Sequence, residues 1–267
     1  LRYIGPAGER LANAAIIIGN LHRAGGRGGA GAVMGSKRLK AIAVKGTGGI
    51  PIHSPDDYEE VVEEIWRELD PRVCIDLFLG SWNIYGSPVV VRYVNEMGGL
   101  ISKNDQEGVW DECKKFGAEE MMKTVVKPKA CFCCSLASCS HWTVIRDGPY
   151  TGTGMENAQA GTMITFGSML LINDLSSIMK AHELCNALGI DEYAAGTTLA
   201  WAMEAYDRGI ITKSDTNGID LTWGNAKGML EMIEKMGYRE GFGDILSNGV
   251  KKASEIIGKG SEHFALH

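Results

Sequence analysis

Four of the seven cysteines in this chain fall within nine residues, Cys131-Phe132-Cys133-Cys134-Ser135-Leu136-Ala137-Ser138-Cys139. Thiols at that density point to a metal or a redox reaction, and they oblige the backbone to form a tight loop so that several sulfurs face one point. Cys131, Cys134 and Cys139 are the best placed. Their C-x2-C-x4-C spacing supplies three of the four thiolates that an iron–sulfur cluster usually takes, with Cys133 competing for a place. Zinc is the open rival, because C-x2-C is also its commonest half-site, yet no second C-x2-C or H-x3-H pair is present downstream and His141 stands alone. Structural thiols or a disulfide pair form the third reading: the cysteine count is odd, and Cys74, Cys113 and Cys185 are scattered.

With 267 residues and 45% hydrophobic content, the chain can bury a real core. A net charge of −6, with no basic cluster denser than Lys37-Arg38-Leu39-Lys40, argues against nucleic acid as a partner, since phosphate neutralisation needs many cations on one face. No run approaches the apolar length of a membrane span, and no signal peptide is apparent, so the expected home is the cytoplasm, where thiols stay reduced. The chain begins at Leu1 without a methionine and stops at Phe264-Ala265-Leu266-His267 just after an apolar segment resumes. It reads as an internal piece of a longer protein.

Two short β-branched runs, Ala14-Ala15-Ile16-Ile17-Ile18 and Leu39-Lys40-Ala41-Ile42-Ala43-Val44, are bounded by glycine as strands are. From Ser54-Pro55, an N-cap followed by proline at the first helical position, Val61, Val62, Ile65 and Leu69 share one helical face. The rest reads as mostly helix. Asn173 or Asp174 caps a segment lined by Leu175, Ile178, Met179 and Cys185 that ends at Gly189. Further helices are expected from about Glu192 to Tyr206, from Thr222 with Met229, Met232, Ile233 and Met236 as core filler, and from about Asp244 to Ile257. The fold class expected is α+β and mainly α: the end of a β-rich domain over residues 1–50, then a helical part over 51–267 that carries the cysteine loop.

The segment Gly26-Arg27-Gly28-Gly29-Ala30-Gly31 satisfies G-x-G-x-x-G, but the residues after it read as a strand rather than a helix, and no acidic residue stands about twenty residues on to hold a ribose. Nor is Gly35-Ser36-Lys37 a P-loop. The segment reads instead as a bare backbone loop flanked by Arg23, Arg27, Lys37 and Arg38, able to offer N–H donors and guanidinium forks to phosphate-like oxygens.

Four segments together resemble the tungsten-containing aldehyde ferredoxin oxidoreductase family. They are Ile4-Gly5-Pro6-Ala7-Gly8-Glu9, the run from His22 through Gly35-Ser36-Lys37, the cysteine loop, and Gly241-Phe242-Gly243-Asp244-Ile245-Leu246-Ser247-Asn248-Gly249-Val250-Lys251, in the family's order. The resemblance implies a tungsten bis-pterin centre (tungstopterin) beside a [4Fe–4S] cluster, on a β-sheet base closed over by helical domains. It implies that Arg23, Ala24, Gly26, Arg27 and Gly28 contact the pterin and its phosphates, with a magnesium ion as a bridge at the Ala24 carbonyl. It implies cluster ligands Cys131, Cys134 and Cys139, with a fourth cysteine beyond His267. The family's D-x-x-G-L-D pterin signature corresponds to Asn186-Ala187-Leu188-Gly189-Ile190-Asp191, which makes Asn186, Ile190 and Asp191 pterin contacts, an amide replacing the leading carboxylate.

Two departures stand out. The family's C-x2-C-x3-C is one residue longer here, so Cys133 and Cys134 compete. The acidic G-P-E-Y-E-like run is Asn157-Ala158-Gln159-Ala160-Gly161, leaving Glu156 as the candidate for proton transfer. Implied activity is oxidation of an aldehyde to a carboxylic acid, with electrons passed through the cluster to ferredoxin or an electron-transfer subunit. A homo-oligomer is compatible with this. The runner-up is a catalytic subunit like that of the tungsten-containing benzoyl-CoA reductases, acting on an acyl-CoA. Of another class are an iron–sulfur electron carrier or a zinc-stabilised module without pterin. His141 and His182 are expected to be structural.

Overall fold

The computed structural model describes residues 1–70, 77–131, 134, 141–156 and 158–267. Near the N-terminus, β1 (Arg2–Tyr3), β2 (Ile17–Gly19), β3 (Arg23–Gly25) and β4 (Ala41–Ile42) form an antiparallel sheet in the order β3-β2-β1-β4. Ile18 pairs with both Tyr3 and Ala24, which leaves Arg23–Gly25 at the edge of this four-stranded sheet among the described residues.

The strand expected after the glycine loop is a correction. Residues Ala30–Ser36 form helix α2, in which Ala30, Ala32 and Met34 favour the helix, while Gly31 and Gly35, poor helix formers, sit where neighbouring backbone leaves no room for a Cβ. A dinucleotide fold still does not arise, since every ladder in this sheet is antiparallel, without the parallel pairing of a βαβ unit. Part of the glycine density is explained by packing: α2 lies against α1 (Pro6–Glu9), and a Cβ on Gly35 would meet the Gly8 carbonyl oxygen at 1.9 Å.

The amphipathic run after Ser54 forms helix α3 (Pro55–Leu69), with the proline at its start, but none of its residues is buried. Helices α4 (Leu77–Tyr85), α5 (Val89–Glu96) and α6 (Ala118–Met122) come next. This part is mostly helix, as expected, with an interruption by sheet. Strands β5 (Val125–Lys127), β6 (Trp142–Val144) and β7 (Gly154–Glu156) pair into a second antiparallel sheet, each too short to show a period of two in the sequence.

The helical remainder comprises α7 (Ala160–Phe166), α8 (Leu175–Leu188), α9 (Glu192–Asp207), α10 (Ala226–Tyr238), α11 (Phe242–Leu246) and α12 (Val250–Ile257). Asp174 caps α8 by accepting from the Ser176 and Ser177 backbone N–H groups, and Gly189 ends it in the left-handed region at φ 73°. The segment expected as one helix from 244 to 257 is two, interrupted at Gly249 with φ 85°. Helix α9 is buried from Thr198 to Ala205, including Trp201, whose indole N–H donates to the Ser261 carbonyl at 2.9 Å. Met229, Met232, Ile233 and Met236 of α10 are buried where α10 packs on α8.

The architecture is thus α+β and mainly helical. Among the described residues, no single helix is long and apolar enough to cross a membrane. One junction draws distant parts of the chain together: the Ile16 N–H donates to the Gly189 carbonyl and the Asp191 N–H to the Ala14 carbonyl, each at 2.9 Å. The first sheet is thereby fastened to the turn between α8 and α9.

Candidate functional site

That junction brings three distant segments around one hollow of about 310 Å³. His22, Arg23, Ala24 and Gly26 come from the region of β3, Glu156 from β7 with Gln159 and Thr162 just beyond it, and His182, Asn186, Asp191, Glu192 and Tyr193 from α8 and α9. Of the residues singled out in the sequence, Arg23, Ala24, Gly26, Glu156, Asn186 and Asp191 line it together.

Glu156 is 5% exposed and ends β7. Its Oε2 lies 2.8 Å from Arg23 Nη2 and its Oε1 accepts from Lys129 Nζ at 2.6 Å. Lys129 stands two residues before Cys131, so this carboxylate ties the entry of the cysteine loop to the β3 edge. The Lys129 N–H also donates to His141 Nδ1 at 3.2 Å, which gives the buried His141 a structural place. In the loop itself, the Cys134 N–H donates to the Cys131 carbonyl at 3.1 Å, which holds these two residues close together. Cys139, the competing Cys133 and Asn157 lie outside the described residues. Among the described residues, no group of three or more His, Cys, Asp or Glu side chains is arranged to hold a metal ion.

Asp191 is already committed on both oxygens. Its carboxylate caps α9 by accepting from the Ala194 N–H at 2.8 Å and accepts from the Arg27 N–H at 3.2 Å, holding the glycine loop against the helix. Arg27, Gly28 and Gly29 are consecutively left-handed, and a Cβ at Gly28 would meet nothing within 4 Å, so the loop backbone is open to an approaching group. Arg27 and Gly28 line a neighbouring hollow of about 480 Å³ that shares Asp191 with the first. The Arg27 guanidinium sits 5.3 Å from the Tyr193 ring centre. Ile190 is not brought to the hollow: its side chain is 1% exposed, and its backbone bridges Ala15.

The lining residues that escaped the sequence reading as site groups include His22, Thr162, His182 and Glu192. His182 Nδ1 donates to Glu192 Oε1 at 2.7 Å, Asn186 Nδ2 donates to the same oxygen at 3.0 Å, and Thr162 Oγ1 donates to Oε2 at 2.5 Å. Burial works against the His182 cation, but the Glu192 carboxylate and the nearby Glu156 backbone outweigh it, and the His182 pKa is raised. Burial likewise opposes the Glu192 anion, yet His182 and the hydrogen bonds from His182, Thr162 and Asn186 win, and its pKa is lowered. His22 is pushed down by burial and by His182. The one signal available was spacing, since His182 and Asn186 stand four apart on one helical face.

The site can be set beside known proteins. The model of the aldehyde ferredoxin oxidoreductase N-terminal domain matches residues 1–46, and that of aldehyde ferredoxin oxidoreductase domains 2 and 3 matches residues 64–267. The tungsten-containing aldehyde ferredoxin oxidoreductase of Pyrococcus furiosus is 39% identical over 259 residues, covering 96% of this chain and 41% of that protein. That of Thermococcus kodakarensis is 36% identical over 259 residues, with the same coverage. A solved structure, the active site complex BamBC of benzoyl coenzyme A reductase with 1,5-dienoyl-CoA, superposes with a TM-score of 0.76 at 26% identity, covering 99% of this chain and 40% of that one. The chain therefore spans about two-fifths of the length of the curated relatives it matches.

Proposed function

The chain belongs to the aldehyde ferredoxin oxidoreductase family, and on that premise we propose that its protein is a tungstopterin-dependent oxidoreductase. In this reading it oxidises aldehydes to carboxylic acids and passes the electrons through a [4Fe–4S] cluster to ferredoxin or an electron-transfer subunit. The observation that carries it is the gathering of Arg23, Ala24, Gly26, Glu156, Asn186 and Asp191 around a single hollow whose wall leads, through Lys129, to Cys131.

The residues present fit a pterin. His22 Nδ1 is buried in the wall without a hydrogen-bond partner among the described residues, which a heteroaromatic ligand edge would satisfy, and the backbone at Gly28 stands clear. Residues 1–50 would be the end of the pterin-binding β-rich domain, and 51–267 the helical part closing over it. Cys131 and Cys134 would supply cluster thiolates, with Cys139 a further ligand and the Ala24 carbonyl a contact for a bridging magnesium ion.

When bound, the tungstopterin supplies the oxygen-transfer and electron-accepting chemistry. The chain's own part is to orient and to move a proton. Arg23 and Arg27 place positive charge beside phosphate or pterin oxygens, and Asp191 keeps the loop at a set distance from α9. Glu156 reaches the hollow with one oxygen beside Arg23 and the other accepting from Lys129, and is the residue proposed for proton transfer.

A second reading is favoured by the BamBC likeness together with the neutral run 157–161 in place of glutamates: a reductase acting on an aromatic acyl-CoA. Metal analysis of the full-length protein tests the proposal first. Tungsten with iron supports the family chemistry, iron alone an electron carrier, and zinc alone a structural module. Aldehyde-dependent dye reduction against dienoyl-CoA-dependent dye reduction then separates the two tungsten readings.

A further inference from the structure

Two histidines distant in sequence meet in the wall of the hollow. The His22 and His182 ring centres are 6.0 Å apart with planes inclined by 19°, and Trp142 meets His22 edge-on at 6.0 Å and 68°. His182 is 6% exposed. One of its nitrogens is spent on Glu192, while Nε2 is buried and, with the Glu156 backbone also acting on this ring, makes no hydrogen bond of ordinary geometry among the described residues. Glu192 in turn is satisfied by three donors, so it has little reason to release His182. A buried imidazolium N–H whose acceptor is poorly aligned is under-satisfied, and a ligand that brings a well-aligned acceptor completes it.

Resting on the pterin reading above, we propose that His182, ion-paired with Glu192, donates a hydrogen bond from Nε2 to an acceptor on the edge of the pterin-bearing cofactor, and so sets a fixed positive charge beside it. His182 and Asn186 then form two successive rungs of one helical face presented to the same ligand, with Glu192 holding both from behind. The charged and titratable groups that face His182 are Glu192 from α9, His22 and Arg23 from the β3 region, and Glu156 from β7; Lys129 acts on His22. The raised His182 pKa and the lowered His22 pKa agree with one cation and one neutral ring in this pair. A cation held there stabilises the more negative, reduced state of the centre and makes its midpoint potential less negative than it would otherwise be.

The test uses the full-length protein purified without oxygen, in wild-type form and as His182→Gln, Glu192→Gln and Glu192→Asp. Two readouts other than activity are taken: pterin release on dilution, monitored by fluorescence, and the tungsten midpoint potential from an electron-paramagnetic-resonance redox titration. Both Gln variants are expected to release pterin about tenfold faster, the loss of one charged hydrogen bond, and to shift the midpoint to more negative values. Glu192→Asp, which restores the charge, is expected to fall nearer to wild type. Unchanged release and unchanged midpoint in tungsten-loaded Gln variants would overturn the assignment while leaving the oxidoreductase reading intact. A wild-type protein free of tungsten and pterin would overturn both. Where His182→Gln does not fold, Glu192→Gln and Thr162→Val decide by the same two measurements.

Discussion

Glu156 and Glu192 face the same hollow from surroundings of opposite kind. Glu156 is held by two long cations, Arg23 and Lys129, whose side chains are 32% and 48% exposed. Glu192 is held by the shorter side chains His182, Thr162 and Asn186, and the His182 side chain is 7% exposed. An ion pair reached by water can open at small cost and close again. A buried network loses all its partners' satisfaction when one member goes. One wall is therefore adjustable and the other fixed, which suits a proton-handling carboxylate on the first and a ligand-registering cation on the second.

The contrast between the walls breaks most sharply at Glu192. Replacing it by alanine leaves His182, Asn186 and Thr162 without their acceptor, and the expected loss is about 3–5 kcal/mol by chemical denaturation. A loss below about 1 kcal/mol would show that this wall is no more fixed than the other.

A pH series sharpens the same contrast. His182, with its pKa raised, contributes stability that is complete below its ordinary 6.5 and fades as pH climbs through the raised value. Glu192, with its pKa lowered, contributes stability that is complete above its ordinary 4.5 and fades as pH falls through the lowered value. The stability gap between wild type and Glu192→Gln is thus expected to be widest between pH 4.5 and 6.5, measured as melting temperature, and a flat gap would sink the ion-pair description.

The smallest effect is expected at Lys129→Met, which keeps the apolar stem and removes one exposed partner of Glu156. Its cost should stay under about 1 kcal/mol and shrink further in high salt, both read from denaturation midpoints.

The sequence carried the long helices well, because their ends are chemically marked: Asp174 and Gly189 bracket α8, and Asp191 opens α9. It misled at Ala30–Ser36, where glycine density hid a helix whose Gly35 packs against α1 and whose Gly31 packs against the Ala15–Ile16 backbone. The second sheet was invisible since three-residue strands carry no period and pair across loops. Arg23, Glu156 and Asn186 were legible as candidates through the family resemblance, although nothing in the residues alone announced that they share one hollow. His22 was visible only as the start of a resemblance run and His182 only as a structural histidine, so neither was legible as a site group. A lone histidine on a helix has no local signature, and its partner enters from a distant part of the chain through long-range backbone bonds at Ala14, Ile16, Gly189 and Asp191. Glu192, first in its helix, looked like an ordinary acidic residue at a positive helix end.

Asp191 ties two parts of the molecule to one atom group. Because a single carboxylate both opens α9 and grips the Arg27 amide, the phosphate-sized loop and the buried rod behind it share a hinge pin. A ligand that displaces the loop by even a fraction of an ångström must either drag the rod with it or forfeit the pin. The geometry of this corner is consequently shared with α9, the helix that carries the fully buried Trp201.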